Sequence, residues 1–348
     1  MTSPDPEQET PLLTVIIPTY NIARYLRACL DSVVNQTYET LEIIIIDDNS
    51  TDATTGIIKD YAAADPRIKA VFHTRNHGPG NTRNEGLALA TGDYVTFMDH
   101  DDWQALDKYE KMMAKAIEHD VDIVFCNAQE FDENSGKLNR HYYTLPKKGL
   151  APNRLELIRD REKRGQLYLC LVPPWAKIVR RRLVEEHEVH FSENGNRFDD
   201  VLYHYHGCYF AKRVYFLDEI LYTHRLFPES ITGRAKVDRD NLFDLLDTWK
   251  ELENIFIRLN IPLVEVFPLY AKILSAFMYR VENWREFAEQ ANSIADELGV
   301  KEEHVPETHK KAFNKLRNCG VGQYVYYRMK FRLRPYYKRI GRGVGMSR

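Results

Sequence analysis

Short apolar segments alternate with helical segments through the first part of the chain, and this alternation restricts the fold more than any other feature. The apolar segments are rich in Val, Ile and Leu, as buried parallel strands are. In chain order they read LLTVIIP, LEIIIID, IKAVFHT, DYVTFMD and VDIVFCNA. Helical patterns such as ARYLRACLDSVVNQ and KYEKMMAKAIEHD separate them. This order predicts an α/β protein with a mixed, mostly parallel sheet flanked by helices.

The same patterns divide the chain into regions. Residues 1–11 are polar and acidic and predict a disordered tail, whereas residues 12–235 would form the α/β domain. The segment 236–308 is mainly helical and contains the amphipathic stretch LFDLLDTWKELENIFIRL. Residues 309–348 carry twelve Lys or Arg and no Asp or Glu. We therefore expect a helical C-terminal extension that ends in a basic aromatic tail.

Charge and cysteine content exclude several classes of protein. The net charge is −3, so the molecule as a whole is not a nucleic-acid binder by charge. Its five cysteines lack a CxxC spacing, which argues against a disulfide framework or a zinc site and favours a reducing compartment. The first residues resemble neither a signal peptide nor a transit peptide, and no apolar run is long enough to span a membrane. A cytoplasmic protein is expected.

The first strand is not followed by a loop of the kind that binds dinucleotides. It ends in Pro18-Thr19-Tyr20-Asn21, where a dinucleotide-binding protein has a GxGxxG turn that brings its backbone against the pyrophosphate. A GxxxxGK[ST] loop is absent from the sequence as well. If a nucleotide binds, groups other than a glycine-rich backbone must neutralise its phosphates.

Three carboxylates, Asp99, Asp101 and Asp102, follow the fourth predicted strand. Ligands of open α/β sheets bind beyond the carboxyl ends of the strands, and residues two apart on extended backbone point the same way. Asp99 and Asp101 could therefore share Mg²⁺ or Mn²⁺, ions that carboxylates usually hold together with substrate phosphates. The alternative is a solvated acidic turn that caps a helix starting near Gln104.

Several motifs together resemble the family 2 glycosyltransferases. They are PLLTVIIPTYN, LRACLDSVVNQTY, LEIIIIDDNSTD and HGPGNTRNEGLALATGDYVTFMDHDDW, followed by PPWAKIVRRRLV, FDDVLYHYHG and DEILYTHRLFPESIT. The resemblance implies a GT-A fold, in which a Rossmann-like nucleotide half and an acceptor half share one mixed sheet. Residues 12–125 would form the nucleotide-sugar half and residues 126–235 the acceptor half.

The resemblance implies a donor site at the ends of the first strands. Pro18, Thr19 and Tyr20 match the segment that lies along the nucleotide base, where an aromatic ring can stack on the base. Asp48 matches the position that accepts a hydrogen bond from the uracil ring. Arg83 matches an Arg near the donor, where a cation would hold phosphate or the base region. The alternative roles are a core tyrosine for Tyr20, a turn with a helix cap around Asp48, and a surface ion pair for Arg83.

Metal ligands and a catalytic base also follow from the resemblance. Asp99 and Asp101 match the metal-binding DxD motif, in which Asp99 would also contact the nucleotide-sugar. His224 is a candidate third ligand, and its alternative role is that of a packing histidine. Asp200 matches the second acid of the family's Glu-Asp pair, which is the base. Asp199 replaces the usual Glu and would support or cap, unless both acids only stabilise a helix N-terminus.

Further residues match the family pattern without a defined task. Trp175 and Lys177 match a W-x-K pattern, in which the aromatic ring shapes the acceptor side. Arg225 lies where a His or Arg approaches the metal or the diphosphate. Asp102 is expected to support the metal ligands or to cap a helix. His100 stands where the family usually has Ser, and the sequence assigns it no role.

The resemblance implies an inverting glycosyltransferase that depends on Mn²⁺ or Mg²⁺. It would transfer a hexosyl or N-acetylhexosaminyl group. The donor would be a nucleotide-sugar, above all a UDP-sugar, and the acceptor a hydroxyl of a glycan or lipid-linked glycan in polysaccharide or glycolipid biosynthesis. One alternative is a catalytically silent scaffold subunit that binds nucleotide or glycan. The presence of Asp48, Asp99, Asp101 and Asp200 argues against this alternative. A nucleotidyltransferase is the other, and it would need a glycine-rich basic loop after the first strand.

The basic tail predicts contact with a membrane. In QYVYYRMKFRLRPYYKRIGRGVGMSR, aromatic residues alternate with Arg and Lys, as suits an anionic lipid surface. The enzyme would then lie on the inner face of the plasma membrane. The alternative is a basic helix packed on the acidic body of the protein or on a partner subunit, whereas no known RNA-binding module occurs in the sequence.

Overall fold

The computed structural model describes residues 10–142, 150–168, 170, 172–194, 198–227 and 239–261, together with residues 292, 293, 296 and 314. Its tertiary contacts divide the chain into two compact units, Met1–Ala235 and Lys236–Arg348. The first unit contains the β-sheet, and the second contains a long helix.

The five predicted strands are present in the first unit, and five further strands occur among its described residues that the sequence patterns did not predict. The strands are β1 (Leu13–Thr19), β2 (Leu41–Asp47), β3 (Ile68–Phe72), β4 (Tyr94–Phe97), β5 (Trp103–Gln104), β6 (Ile123–Asp132), β7 (Lys137–Tyr142), β8 (Leu155–Leu157), β9 (Lys177–Arg180) and β10 (Arg213–Leu226). The predicted strands are β1, β2, β3, β4 and β6. The helices are α1 (Ala23–Val34), α2 (Thr54–Ala64), α3 (Pro79–Leu89), α4 (Lys108–His119), α5 (Arg161–Leu167), α6 (Arg181–Glu186) and α7 (Asp199–Phe210), with a 3₁₀ turn at Pro174–Ala176.

The ten strands found among the described residues belong to one mixed sheet in the order β3-β2-β1-β4-β9-β6-β10-β5, with β7 beside β6 and β8 beside β10. The ladders β3–β2, β2–β1, β1–β4 and β6–β10 are parallel. Strand β9 is antiparallel to both β4 and β6 and so joins the two parallel blocks. The predicted α/β fold, with a mixed and mostly parallel sheet flanked by helices, is confirmed.

The core lies between the sheet and its helices. Every residue of β1 and β2 is buried, because helices cover both faces of these central strands. On one face, Leu26, Leu30 and Val33 of α1 are fully buried and belong to the same core cluster as the strand residues. On the other face, α3 approaches so closely that a Cβ on Gly86 would lie 2.3 Å from Ile16 Cγ2. Glycine is therefore required where α3 crosses β1.

The acidic segment after β4 does not cap a helix that starts near Gln104. Trp103 and Gln104 form β5, which pairs with Tyr222 and Thr223 of β10. Helix α4 begins only at Lys108. Pairing with the sheet takes precedence over the local helical pattern here, and it fixes the acidic turn at the edge of the sheet.

The second unit is described mainly through α8 (Arg239–Arg258), the start of the predicted helical extension. Its apolar face includes the buried residues Leu252, Ile255 and Phe256. Almost all of the predicted basic tail, 309–348, lies outside the described residues, as do residues 1–9 of the predicted N-terminal tail. Within the described part of the chain, no helix combines the length and the hydrophobicity needed to cross a membrane.

Candidate active site

One edge of the sheet brings together the segments that the sequence singles out. Strands β1, β2, β4, β6 and β10 all run in the same direction, so their carboxyl ends meet there. This edge receives the segments after β1, β2 and β4, and also the end of β10 with His224 and Arg225. Strand β9 runs the opposite way, and therefore its start at Lys177 lies at the same edge. The location matches the general binding edge of α/β sheets.

Hydrogen bonds connect the loops that follow β1 and β2. The side chain of Asp47 accepts hydrogen bonds from the Ser50 hydroxyl, at 2.6 Å, and from the Ser50 backbone N–H. The Ser50 hydroxyl in turn accepts from the Asn21 N–H, and the Asn21 side chain accepts from the Thr51 N–H. Between these anchored segments Tyr20 is 46% exposed. Its ring is therefore available on the surface and is not the core tyrosine of the alternative interpretation.

The sequence assigned no role to His100, and the structure shows its contact. His100 Nδ1 lies 2.8 Å from the carbonyl oxygen of Pro18, so the ring joins the acidic turn after β4 to the end of β1. The imidazole of His100 is much longer than a serine side chain, so it connects the two loops across a distance that serine would not span.

Asp48 is buried and is held by the loop after β3. Its carboxylate accepts hydrogen bonds from the backbone N–H groups of His77 and Gly78, both at 2.8 Å. His73 Nδ1 lies 2.7 Å from the same carboxylate, and His73 Nε2 lies 2.7 Å from Glu85. Burial alone would lower the pKa of His73, but these two carboxylates raise it above its ordinary value. Asp48 is therefore oriented by a histidine that the sequence analysis missed.

Asp102 is the buried anchor of the acidic turn. It is fully buried and accepts a 2.6 Å hydrogen bond from the Tyr222 hydroxyl and a 2.7 Å hydrogen bond from the Arg225 backbone N–H. His224 Nδ1 lies 3.2 Å from the same carboxylate. Asp102 thus fixes the acidic turn to β10, and it does not cap helix α4, which begins at Lys108.

Two residues at the end of β10 complete this arrangement. Arg225 Nε donates to the carbonyl oxygen of Asp101 at 2.8 Å, and its guanidinium lies 4.6 Å from the centre of the Trp103 ring. Burial alone would lower the pKa of His224, but the nearby carboxylates, Asp102 first, raise it to about 9. Arg225 therefore supports the backbone of the acidic turn, while His224 contributes positive charge next to it.

Asp101 carries the carboxylate that is best placed for a cation. Within the described residues its side chain makes no hydrogen bond or ion pair, although it is half-buried. Burial and the carboxylates of Asp102 and Asp99 raise its pKa to about 6. Such a carboxylate is stabilised by a cation that binds beside it.

The three predicted metal ligands do not converge on one point. In the described part of the chain, no three His, Cys, Asp or Glu side chains are close enough to hold a metal ion by themselves. Asp99 is turned toward Arg83, and His224 toward Asp102. Mg²⁺ is normally held by one or two carboxylates together with substrate phosphates and water. The Asp99 and Asp101 carboxylates, as hard oxygen donors, fit such an ion without a third protein ligand.

Arg83 links the acidic turn to the start of α7. One guanidinium nitrogen lies 3.0 Å from Asp99 Oδ1, and the other lies 2.5 Å from Asp199 Oδ2. The side chain is only 11% exposed, so the interpretation as a surface ion pair does not hold. Burial would lower the pKa of Arg83, but Asp199 and Asp99 raise it. The guanidinium also lies 5.5 Å from the centre of the Phe191 ring, a contact that the sequence did not indicate.

Asp199 and Asp200 differ in their surroundings, as expected for adjacent residues on a helix. Asp199 is buried and paired with Arg83. The half-buried Asp200 carboxylate has no hydrogen bond or ion pair within the described residues. Burial and the charge of Asp199 raise the pKa of Asp200 to about 7, although Arg83 and Lys177 act in the opposite direction. Asp200 is thus able to exchange a proton near neutral pH.

Trp175 and Lys177 are buried beneath this site. The Trp175 ring stacks on Tyr222, with ring centres 4.1 Å apart, and it is only 4% exposed. Lys177 Nζ donates to the Val172 carbonyl at 2.9 Å and lies 2.8 Å from His204 Nδ1. Burial lowers the pKa of Lys177 to about 8. Both residues support the site from within the core.

Tyr222 is a further residue that the sequence analysis missed. It contacts Asp102, Trp175 and the Asp99 backbone N–H. The alternation of side chains along a strand could have identified it, because Tyr222 and His224 are two residues apart on β10 and share one face.

Comparison with known proteins relates this chain to glycosyltransferases. The family model described as glycosyl transferase family 2 matches residues 14–220. The putative glycosyltransferase EpsH of Bacillus subtilis (strain 168) is 30% identical over 321 residues, which cover 90% of this chain and 83% of EpsH. The putative teichuronic acid biosynthesis glycosyltransferase TuaG of the same organism is 32% identical over 166 residues, which cover 46% of this chain and 66% of TuaG.

Solved structures show the same fold. The crystal structure of S. aureus TarS 1-349 matches with a TM-score of 0.53 at 22% identity, and the match covers 88% of this chain and 91% of that one. The complex of the same protein with UDP-GlcNAc matches with the same TM-score at 20% identity and with the same coverage. The expected GT-A fold is thereby confirmed. Since the family model spans more than half of the chain and EpsH is similar over most of it, this protein is a glycosyltransferase that belongs to family 2.

Proposed function

We propose that this protein is a metal-dependent, inverting glycosyltransferase that moves a sugar from a nucleotide-sugar to a hydroxyl of a glycan or lipid-linked glycan. The observation that carries the proposal is the bridge made by Arg83. This one buried cation contacts Asp99 in the acidic turn and Asp199 beside Asp200. Arg83 therefore fixes the position of Asp99, the candidate donor-binding carboxylate, relative to the start of α7, which carries the candidate base Asp200. A direct displacement requires such fixed positions.

Asp99 and Asp101 would hold Mn²⁺ or Mg²⁺ together with the donor's diphosphate. The unpaired carboxylate of Asp101 and its raised pKa support this assignment, since both indicate excess negative charge. When bound, the ion would stabilise the charge that develops on the nucleoside diphosphate leaving group. Asp102, Arg225 and His224 hold the turn that presents these two carboxylates. His224 remains the candidate third ligand, and it would have to lose a proton to bind the ion, because the carboxylates around it raise its pKa to about 9.

Asp200 would act as the general base. Its carboxylate accepts the proton of the acceptor hydroxyl while the hydroxyl oxygen attacks the anomeric carbon and the nucleoside diphosphate leaves from the opposite face. The configuration at that carbon is then inverted. The pKa of about 7 suits this role, because a base is most effective when its pKa lies near the working pH. Asp199 and Lys177 orient the surroundings of Asp200 without taking the proton.

A UDP-sugar is the proposed donor. The exposed ring of Tyr20, next to Pro18 and Thr19, offers a surface on which a base can stack. Asp48 would accept a hydrogen bond from the uracil ring, and its fixed orientation between His73 and two backbone N–H groups supports this role. The similarity to a solved TarS complex with UDP-GlcNAc supports the same nucleotide class.

The proposed setting is the assembly of a surface polysaccharide or glycolipid. The name of TuaG, which refers to teichuronic acid biosynthesis, supports this setting. We further propose that the protein acts at the inner face of the plasma membrane, where the basic residues 309–348 would contact anionic lipid. The proposed organisation keeps residues 12–125 as the nucleotide-sugar half and residues 126–235 as the acceptor half.

Calorimetric titration of UDP, GDP and CDP tests the donor assignment. Each nucleotide is titrated once with Mn²⁺ and once with EDTA. We expect UDP to bind in the presence of Mn²⁺ and to lose most of its affinity in EDTA. Equal affinity in EDTA would contradict the metal assignment, tighter binding of GDP or CDP would contradict the base assignment, and no binding of any nucleotide would contradict the donor site.

A further inference from the structure

A cavity with a basic lining lies away from the candidate active site. It has a volume of about 520 Å³ and is formed by the end of β8, helix α5, the end of α7 and the start of β10. The lining residues are Leu157, Ile158, Arg159, Arg164, Tyr209, Phe210, Ala211, Lys212 and Arg213. Four of them carry a positive charge and none carries a negative charge. No step of the proposed transfer reaction uses this cavity.

Two of the four cations are not neutralised by ion pairs. Arg159 and Lys212 are exposed, and neither side chain makes an ion pair or hydrogen bond within the described residues. Two acids lie near Lys212, and both already have other cationic partners. Glu186 is paired with Arg182, and Asp122, which accepts from the Lys212 backbone N–H, lies 3.8 Å from Arg180. Concentrated positive charge of this kind attracts anions.

The other two cations are held in place by the fold. Arg213 donates to the carbonyl oxygens of His119 and Asp120, so its side chain is fixed at the cavity wall. The guanidinium of Arg164 lies 4.7 Å from the centre of the Tyr209 ring. The Arg213 guanidinium is thus largely occupied by these carbonyls, whereas a planar guanidinium in a fixed position, such as that of Arg164, suits the oxygen atoms of a phosphate group.

The backbone of this wall is also fixed. The Asp122 carboxylate accepts hydrogen bonds from the N–H groups of Lys212 and Arg213, at 2.8 and 3.0 Å. The N–H of Ile158 donates to the Lys212 carbonyl at 2.8 Å. The backbone that carries Lys212 and Arg213 is therefore held in place on this side of the cavity.

We propose that this basic cavity binds a phosphate group of an anionic ligand. Helix α7 separates it from the catalytic edge, because Asp200 lies in the first turn of α7 whereas Tyr209 and Phe210 lie in the last. Ten residues of helix correspond to about 15 Å. A phosphate bound here would therefore not compete with the donor. The cavity suits either a soluble ligand that carries phosphate or the headgroup of an anionic lipid.

The test compares two double variants of the full chain. Arg159→Ala/Lys212→Ala removes the two unpaired cations of the cavity. Lys59→Ala/Lys137→Ala removes the same charge from two exposed lysines elsewhere. Pyrophosphate is titrated calorimetrically in EDTA, and vesicles of phosphatidylglycerol or phosphatidylcholine are used in sedimentation. We expect the cavity variant to bind pyrophosphate roughly tenfold more weakly than the control variant.

The two probes distinguish the source of the phosphate. Loss of both pyrophosphate and phosphatidylglycerol binding in the cavity variant would indicate a lipid headgroup. Loss of pyrophosphate binding alone would indicate a soluble ligand. The proposal is overturned if neither probe distinguishes the cavity variant from the control variant. UDP binding with Mn²⁺ should be unchanged in both variants, so failure of this proposal and failure of the donor assignment give different results.

Discussion

At the scale of single residues, the carboxylates of the site fall into two groups that differ in whether they have hydrogen-bond or ion-pair partners. Asp102 and Asp199 are buried and paired, and they fix the backbone and Arg83. Asp101 and Asp200 lack such partners within the described residues and have raised pKa values. The paired acids thus stabilise the structure, whereas in the proposed mechanism Asp101 binds the ion and Asp200 accepts a proton from the acceptor.

The first prediction concerns Asp200. The variant Asp200→Asn keeps the shape of the side chain but cannot accept a proton, so transfer should fall by about 10²- to 10⁴-fold. Donor affinity should remain nearly unchanged, because Asp200 does not bind the nucleotide. Steady-state transfer rates and calorimetric donor binding check the two parts. Normal transfer by this variant would show that another group is the base.

The second prediction concerns pH. The base must be deprotonated, and the pKa of Asp200 is raised to about 7. The value of kcat/KM should therefore rise with pH, be about tenfold below its plateau one unit below that pKa, and level off above it. A carboxyl group with an ordinary pKa of about 3.9 would give a flat profile over this range. A flat profile between pH 6 and pH 8 (roughly one unit on either side) would contradict the assignment.

At the scale of secondary-structure elements, close packing of α3 on β1 positions Arg83. A Cβ on Gly86 would lie 2.3 Å from Ile16 Cγ2, and a Cβ on Gly80 would lie 1.9 Å from the Ser192 carbonyl oxygen. Helix α3 is therefore fixed against both the sheet and the segment that precedes α7. This packing explains how Arg83 reaches Asp99 and Asp199 at once.

The third prediction tests this packing. Gly86→Ala should destabilise the protein by about 1–3 kcal/mol, because the added methyl group overfills the contact with Ile16. Gly56→Ala in α2 is the matched control, since a Cβ there meets nothing within 4 Å. This control should stabilise by about 0.5–1 kcal/mol, as alanine favours the helix. Urea unfolding measures both, and equal effects would contradict the packing argument.

Most elements could be predicted from the sequence, because strands such as LEIIIID and helices such as α1 carry strong local patterns. The short strand β5 could not, since only its pairing with Tyr222 and Thr223 creates it. The same limit applies to the site. Motifs identified Asp99, Asp199 and Arg83, but the contact between Arg83 and Asp199 joins residues 116 positions apart and depends on tertiary packing.

At the scale of the whole molecule, one sheet carries both halves of the proposed site. The parallel strands β1, β2 and β4 supply the donor loops, and antiparallel β9 connects them to β6 and β10. Donor residues and β10 residues thus meet at one edge of a continuous sheet. The charge is distributed unevenly, because residues 309–348 are basic while the net charge is −3.

The fourth prediction concerns this uneven charge. Arg332→Ala/Arg334→Ala should weaken binding to phosphatidylglycerol vesicles by roughly tenfold or more, since each cation near an anionic surface contributes about 1 kcal/mol. Lys59→Ala/Lys137→Ala removes equal charge outside the tail and should have a smaller effect. Vesicle sedimentation at low and high salt measures both, and binding that is equal in the two variants would argue against a membrane role for the tail.

In the proposed mechanism, Asp99 and Asp101 hold the ion and the donor, while Asp200 serves only the acceptor. The most direct test of this mechanism is the calorimetric titration of UDP with Mn²⁺ into the wild-type protein, Asp101→Asn and Asp200→Asn. We expect Asp101→Asn to lose most of the metal-dependent affinity and Asp200→Asn to bind like the wild-type protein. Unchanged affinity in Asp101→Asn, or a similar loss in Asp200→Asn, would contradict this mechanism.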